Sequence, residues 1–240
     1  MDMQVAIIAG GLATRLGELT RSQPKSMVLI EGKPFLEHQM EYLKKSGVGN
    51  VILCIGHLGQ QIEDYFGDGS KFGVKIDYSR EDRLLGTAGA LKRAEPKLLD
   101  VFFTLYGDSY LFLDYRRAMA HFKSQGKLAM MSVYQNRDLY DRSNTAVAGG
   151  MVKRYSKTDK TGDMVYIEYG ANVFDKKVLD MVPRDKPYGL EDLFPRLIEK
   201  NQLAAYEISE RFYEIGSKQG IQDFTGFIRG KSRAGAAVLK

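Results

Sequence analysis

The sequence predicts a three-layer α/β fold, a mixed, mainly parallel sheet with helices on both faces. Three observations lead there. Short, continuously apolar runs of strand length recur through the first half, segments of helical period separate them, and glycines or Gly-Asp turns close them. Strand, helix, strand in this rhythm implies parallel pairing through right-handed crossovers.

The run Val5-Ala6-Ile7-Ile8-Ala9 is apolar throughout, as a strand buried on both faces must be, and stops at Gly10-Gly11. Pro34 suits the first turn of a helix, and Phe35, Leu36, Met40 and Leu43 then recur at helical spacing until Gly47. Val51 to Ile55 is a second buried strand, and Leu58 to Phe66 a short helix closed by Gly67. Val74 to Tyr78 alternates, which gives a strand with one wet face. Gly86 to Ala94 is helical, Val101 to Tyr106 is a strand ending at Gly107-Asp108, Asp114 to Lys123 is a helix and Leu128 to Tyr134 a strand. Residues 145–174 read as short strands, with turns at Gly149-Gly150 and over 160–163. Helices follow at Lys176 to Met181 and Leu190 to Glu199, then a strand near Leu203 to Ile208 and a last helix from Ser217 to Ile228. With no repeat and no low-complexity linker, a single domain over 1–230 is expected, its halves being 1–135 and 136–230. The tail 231–240 lacks an apolar period and is expected to be loose.

Composition narrows the function. Thirty-five Lys and Arg against 30 Asp and Glu leave a net charge of +5 with no run of five basic residues, so no nucleic-acid-binding tail is indicated. A mild positive excess suits a small anionic substrate. No apolar run approaches a membrane span, and the start Met1-Asp2-Met3-Gln4 lacks the basic stretch of a secretory leader. The single cysteine, Cys54, sits inside an apolar strand and cannot form an internal disulfide, so a reducing, cytoplasmic setting is expected.

Parallel sheets bind ligands outside the carboxyl ends of their strands. The segments after Ala9, Tyr78 and Tyr106 fall there and hold a glycine-rich loop, Gly86-Thr87-Ala88-Gly89 and Gly107-Asp108. In the loop, Ala9-Gly10-Gly11-Leu12-Ala13-Thr14-Arg15-Leu16, glycines let backbone amides approach an anion. It lacks the Gly-Lys-Ser/Thr of a Walker loop and the third glycine of the dinucleotide fingerprint. Arg15 and Lys25 instead bring a guanidinium fork and a point charge, a clamp for adjacent phosphates. On the glycines alone, a plain βα turn with two surface cations explains the segment equally well.

Ala-Gly-Gly-x-x-Thr-Arg-Leu at 9–16, Pro24-Lys25-Ser26-Met27 and Gly32-Lys33-Pro34-Phe35-Leu36 together resemble the signature of the sugar-1-phosphate nucleotidylyltransferases. The resemblance implies a Rossmann-like (GT-A-like) fold and a reaction of the EC 2.7.7 type. In it a nucleoside triphosphate and a sugar 1-phosphate become a nucleoside diphosphate sugar and pyrophosphate, with Mg2+ as cofactor. Residues 1–135 would then carry mainly the nucleotide and 136–230 mainly the sugar phosphate and metal. By the same resemblance Ala9, Gly10, Gly11, Leu12, Ala13 and Thr14 bind nucleotide, and Arg15 and Lys25 stabilise the phosphates during transfer. Ala13 stands where the family's loop has glycine. Leu85 to Leu91 is similar to the segment that contacts base and sugar, which adds Gly86 and Thr87 to the nucleotide set.

Tyr166 to Asn172 looks like the family segment that hydrogen-bonds sugar hydroxyls, which assigns Glu168, Gly170 and Asn172 to the sugar, with Gly107 beside them. Magnesium takes one or two carboxylates plus phosphate oxygens. Asp108 is the first expected ligand. Glu214, in Phe212-Tyr213-Glu214-Ile215-Gly216, is the second, at a place where the family commonly has aspartate. The extra methylene moves the carboxylate by about 1.5 Å.

In-line attack by a phosphate oxygen on the α-phosphorus needs no protein nucleophile, because the attacking group is already anionic. That agrees with His38, His57 and His121 lying in or beside helical patterns. The motifs look closest to guanylyltransferases acting on mannose or heptose 1-phosphate; thymidylyl-, uridylyl- and cytidylyltransferases share them. A GT-A-like glycosyltransferase normally carries Asp-x-Asp, and Gly107-Asp108-Ser109-Tyr110 has no second aspartate. A non-catalytic nucleotide-sensing domain would have no use for Arg15, Lys25 and Asp108 together. The expected partners are therefore the triphosphate and the sugar phosphate, with no nucleic acid and no membrane, and the helices near the C-terminus leave room for a homodimer.

Overall fold

The strand β1 (Gln4–Ile8) runs through the middle of the molecule, and its alternation splits the core in two. Val5 and Ile7 join one apolar cluster and Ala6 the other, as the two-residue period of a strand requires. The protein is described by a computed structural model over residues 3–11, 16–17, 20–184 and 186–238, with side chains as far as residue 230.

After β1 come the hairpin strands β2 (Leu29–Ile30) and β3 (Lys33–Pro34), then α1 (Phe35–Lys45), β4 (Asn50–Ile55), α2 (Gly59–Phe66), β5 (Lys75–Arg80) and α3 (Gly86–Ala94). The chain continues through β6 (Val101–Tyr106), β7 (Ser109–Tyr110), α4 (Tyr115–Gln125), β8 (Ala129–Tyr134), β9 (Thr145–Ala148) and β10 (Met151–Tyr155). It ends with β11 (Ile167–Asp175), α5 (Leu190–Glu199), β12 (Leu203–Ile208), β13 (Tyr213–Glu214) and α6 (Lys218–Val238).

Among the described residues the main sheet has nine strands in the order β5-β4-β1-β6-β11-β8-β12-β10-β9. The first four pair in parallel, as do β8 and β12. Only β11 and β10 run against the common direction. The sheet is mixed and mainly parallel, as the strand–helix rhythm implied. On one face α1, α2 and α4 bury Leu36, Met40, Ile62, Phe66 and Phe122; on the other α3 and α5 bury Leu91, Leu193 and Phe194. Each such side chain contributes about 1.5–3 kcal/mol when fully buried, and the two faces together make the three layers.

Local chemistry sets the helix ends. The Asp114 carboxylate accepts the Arg117 N–H at 3.0 Å and so caps α4, while Gly126 closes it at φ +59°. Pro34 precedes α1 as its cap rather than lying in its first turn. The segment Lys176–Met181 is a 3-10 helix, not an α-helix. The two-residue ladders β2–β3 and β7–β13 are too short to show any period in the sequence. α6 continues to Val238, beyond Ile228 and through residues expected to be loose. Three of residues 231–238 are alanine and two are Lys or Arg, so helix propensity is present there without an apolar face to reveal it.

A third, smaller cluster joins Val28, Ile30, Phe35, Tyr110, Ile215 and Phe224. The Phe224 ring lies 4.9 Å from that of Phe35 and 5.0 Å from that of Tyr110. Through it α6 pins β7 and β13 beside the segment that carries Lys25. Among the described residues no helix is long and apolar enough to cross a membrane. Cys54 is buried, and that burial pushes its thiol up to about 12, so it packs as a small apolar group.

Candidate active site

At the carboxyl ends of β1 and β6 the two strands meet closely: the Gly107 N–H donates to the Ile8 carbonyl at 2.9 Å. A Cβ on Gly107 would stand 3.0 Å from the Ala9 Cβ and 3.1 Å from the Ile8 oxygen, so glycine is what lets the Asp108 turn close against β1. Above this junction lies a cavity of about 310 Å³ lined by Ile8, Ala9, Gly11, Leu16, Lys25, Ser26, Thr87, Tyr106, Gly107, Asp108 and Gly216. A second cavity, about 440 Å³, is walled by Asn144, Lys157, Glu168, Tyr169, Gly170, Phe212, Glu214 and their neighbours. Tyr106, Asp108 and Gly216 belong to both walls. The chambers adjoin.

Lys25 lines the first chamber and meets the shared wall at Asp108. Pro24 holds an extended backbone and Lys25 opens a 3-10 turn, which aims the ammonium inward. Its Nζ lies 2.6 Å from Asp108 Oδ2, with Lys25 14% and Asp108 34% exposed. The other Asp108 oxygen accepts the Ser109 hydroxyl at 3.2 Å. The backbone carbonyl of Asp108 accepts the Ile215 N–H at 3.0 Å, and β7–β13 pairing sets Ser109 opposite Glu214. Asp108 and Glu214, distant in sequence, are thus neighbours in a two-strand ladder.

The Glu214 carboxylate folds back on its own turn. Oε2 accepts the Gly216 N–H and Oε1 the Ser217 hydroxyl, the latter at 3.0 Å. A Cβ on Gly220 would come within 2.5 Å of Oε1, and one on Gly216 would overlap Oε2, so two glycines make room for this acid. The donor set suits a hard divalent cation: two carboxylates line the second chamber, and phosphate oxygens would complete the shell. Their present partners are an ammonium, two hydroxyls and an amide, all exchangeable, and a cation on Asp108 Oδ2 would displace Lys25.

Glu168 is held from three sides. Tyr106 donates its hydroxyl to Oε1 at 3.0 Å, Tyr155 donates to Oε2 at 3.1 Å, and Asn172 Nδ2 donates to Oε1 at 3.0 Å. Burial first, and the Glu168 charge next, push both tyrosine hydroxyls well above their ordinary range, which keeps them donors. Asn172 is 1% exposed and lies behind Glu168, outside the chamber wall. Gly170, at φ +95°, sets its bare Cα against the Tyr106 ring in that wall.

The nucleotide-side expectations divide. Gly11 lines the first chamber with open space where a Cβ would point, but the corresponding space at Gly10 is filled by Glu81. Thr87 also lines it, yet its oxygen accepts the Leu190 N–H at 2.7 Å and so serves the start of α5. Gly86, at φ +73°, is a glycine because a Cβ would stand 2.7 Å from the Tyr188 carbonyl, and it lies outside the wall. Leu12, Ala13, Thr14 and Arg15 lie outside the described residues.

Three features escaped the sequence reading. Lys157 lines the second chamber, with Glu191 Oε2 3.6 Å away; one lysine among several in a strand-and-turn region carries no signal of its own. Tyr140, also in that wall, lies over the Arg211 guanidinium at 4.3 Å, with Tyr213 at 4.6 Å, and Asp223 holds Arg211 at 2.5 Å. Glu81 is the third.

Residues 4–229 match the family model described as nucleotidyl transferase. The chain is 30% identical over 248 aligned residues to a UTP–glucose-1-phosphate uridylyltransferase of Synechocystis, across 95% of this chain and 63% of the relative. It is 31% identical to the mannose-1-phosphate guanylyltransferase catalytic subunit beta of Xenopus tropicalis, across 89% of this chain and 61% of that protein. It therefore spans less than two thirds of these two relatives. With the D-glycero-alpha-D-manno-heptose 1-phosphate guanylyltransferase of Campylobacter jejuni it shares 29% identity across 92% of this chain and 98% of the relative. The crystal structure of HddC from Yersinia pseudotuberculosis complexed with GMP-PN superimposes with a TM-score of 0.81 at 28% identity, covering 94% of this chain and 99% of that one.

Proposed function

We propose that the chain, which belongs to the nucleotidyl transferase family, joins a nucleoside triphosphate to a sugar 1-phosphate, releasing pyrophosphate and a nucleoside diphosphate sugar. The observation that carries this reading is the shared wall: two adjoining chambers meet at Asp108 and Gly216, with the Lys25 ammonium at the junction. Two anionic substrates laid in them end where that positive charge stands.

The triphosphate takes the chamber at Gly11, and the sugar phosphate the chamber of Glu168 and Lys157. A phosphate oxygen of the sugar phosphate forms a bond to the α-phosphorus; the bond from that phosphorus to the bridging oxygen breaks, and its electron pair leaves with pyrophosphate. Positioning and charge neutralisation supply the rate, since no proton need be removed from the nucleophile. Lys25 neutralises charge at the reacting phosphates, and the motif resemblance gives Arg15 the same role. Lys157 offers the acceptor phosphate a cation. Glu168, fixed by Tyr106, Tyr155 and Asn172, accepts hydrogen bonds from sugar hydroxyls. Asp108 and Glu214 would hold Mg2+, which when bound neutralises charge on the phosphate oxygens.

GTP and a mannose- or heptose-type 1-phosphate are the substrates this reading favours. Its support is the heptose-phosphate guanylyltransferase of matching length and the likeness to a structure complexed with GMP-PN. A cytoplasmic setting goes with this reading, and the single buried thiol, Cys54, is compatible with it. The test is a matrix of GTP, UTP, CTP, ATP and dTTP against a panel of sugar 1-phosphates, scored by pyrophosphate release. Highest turnover with GTP and a manno-configured sugar is expected. No pyrophosphate from any pair would remove the reading, and a preference for UTP or dTTP would remove the guanine assignment.

A further inference from the structure

α1 turns Phe35, Leu36, Met40 and Leu43 into the core, and Gln39 is buried in the same stripe. A buried polar side chain is the informative exception on such a face. Gln39 Nε2 donates to the Tyr106 carbonyl at 2.9 Å and to the Ser109 carbonyl at 2.6 Å. Those carbonyls stand at the end of β6 and the start of β7, and only Gly107 and Asp108 lie between them. Both partners are acceptors, so the amide must present its nitrogen, and a flip would set oxygen against oxygen. The remaining oxygen, Oε1, is buried with no partner among the described residues. A buried acceptor left unsatisfied lowers stability, so this amide serves the turn rather than the helix. Three residues further along α1 the Tyr42 hydroxyl accepts the Leu113 N–H at 3.0 Å, and from β11 the Tyr169 hydroxyl accepts the Phe112 N–H at 3.1 Å. Side chains of α1 and β11 thus moor the Asp108 segment at Tyr106, Ser109, Phe112 and Leu113.

We infer that Gln39 is a positioning residue for Asp108: one planar amide, bonded on both sides of the turn, fixes the aspartate against Lys25 and beside Glu214. The Asp108 carboxylate itself has only the Lys25 ammonium and the Ser109 hydroxyl as partners, and an arriving cation or phosphate competes for both. Its side chain therefore cannot be what holds it while the chambers fill. The backbone has to carry that task, and the backbone is where Gln39 acts. Magnesium demands near-ideal octahedral geometry, so a ligand on a loose turn binds it poorly. Groups that orient a ligand without touching the metal matter for the same reason. The assignment rests on the magnesium site proposed above.

The test uses Gln39→Met, which keeps the side-chain length and gives up both donors, and Gln39→Asn, which keeps the amide but withdraws it by one methylene, about 1.5 Å. Mn2+, titrated into the full chain and followed by the electron-spin resonance of the free ion, stands in for magnesium. Its affinity is expected to fall by about 10- to 100-fold in both variants, the usual loss when a group that orients a metal ligand is removed. Amide hydrogen exchange gives a second readout that needs no metal. The Gly107 and Ile215 N–H groups, which donate to the Ile8 and Asp108 carbonyls, should exchange about 10-fold faster in the variants. The Glu81 N–H, which donates to the Ile55 carbonyl at 2.9 Å, should keep its wild-type rate. Unchanged Mn2+ affinity, or a wild type that takes up no Mn2+, would overturn the assignment. So would equal acceleration of all three amides, the mark of a purely structural role. Neither readout involves turnover, so a protein that behaves as expected here but releases no pyrophosphate would sink the proposed reaction and leave Gln39 in its role.

Discussion

Lys25 Nζ and Asp108 Oδ2 lie 2.6 Å apart across 83 residues of sequence, at the wall that the two chambers share. The pair is not sealed from water, with Lys25 14% and Asp108 34% exposed. An ion pair of that exposure adds little to stability, about 0–1 kcal/mol. Its place is better explained by phosphates arriving from both sides than by any need of the fold.

Lys25→Ala should therefore separate activity from folding. Turnover is expected to fall by about 10²–10³-fold, the usual loss when one charge-stabilising group leaves a preorganised site. The melting temperature should shift by no more than a few degrees. Pyrophosphate release beside circular-dichroism melts checks both, and full turnover in the variant would take Lys25 out of the mechanism.

Two glycines make a contrast. Alanine at Gly216 would overlap Glu214 Oε2 and stand 3.0 Å from Lys25 Nζ, so Gly216→Ala should lose turnover and lower the melting temperature together. Alanine at Gly11 meets nothing within 4 Å among the described residues, so Gly11→Ala should leave the melting temperature unchanged and raise KM for the triphosphate alone. Equal thermal shifts in the two variants would contradict this packing.

Asn172 acts through Glu168. Removing its amide in Asn172→Ala forfeits a 3.0 Å bond to Oε1 and frees one side of the carboxylate. KM for the sugar phosphate should rise several-fold, with KM for the triphosphate unchanged. The loss corresponds to roughly 0.5–1.5 kcal/mol, toward the low end because Asn172 Oδ1 is itself buried without a partner among the described residues. Initial-rate kinetics with each substrate varied in turn decides it.

Glu81 ties stability to pH. Burial raises its pKa above the ordinary 4.5, so the folded state binds this proton more tightly than the unfolded chain does. The stability it contributes is fully present below about pH 4.5 and is lost as pH rises through the folded-state value. Glu81→Gln should match wild type at pH 4 and melt at a higher temperature than wild type at pH 7. A wild type more stable than the variant at pH 7 would reverse the sign and refute the burial argument.

Much of this was legible in the sequence because it rests on period. The buried strands, the helices between them and the parallel half of the sheet follow from apolar runs and helical spacing. The ligand edge follows from the strand direction. What stayed hidden depends on approach across space. The β7–β13 ladder that brings Glu214 beside Asp108 is two residues long and has no period to read. In the sequence Gly10, Gly86 and Gly107 look like glycines for a ligand, whereas their missing Cβ atoms make room for Glu81, Tyr188 and the end of β1. Asn172 stands in a sugar-contact motif but turns inward to hold Glu168. Lys157 and Glu81 are ordinary charged residues until the fold places one in a chamber wall and the other against Gly10.

The meeting of two phosphates at Lys25 and Asp108 is tested most directly by following the label from [α-³²P]GTP and [γ-³²P]GTP in parallel reactions with mannose 1-phosphate or the corresponding heptose phosphate. The α label should appear in the nucleoside diphosphate sugar and the γ label in pyrophosphate. Recovery of γ label on the sugar, or as free phosphate with the sugar phosphate unchanged, would show a different bond being broken and would contradict attack at the α-phosphorus.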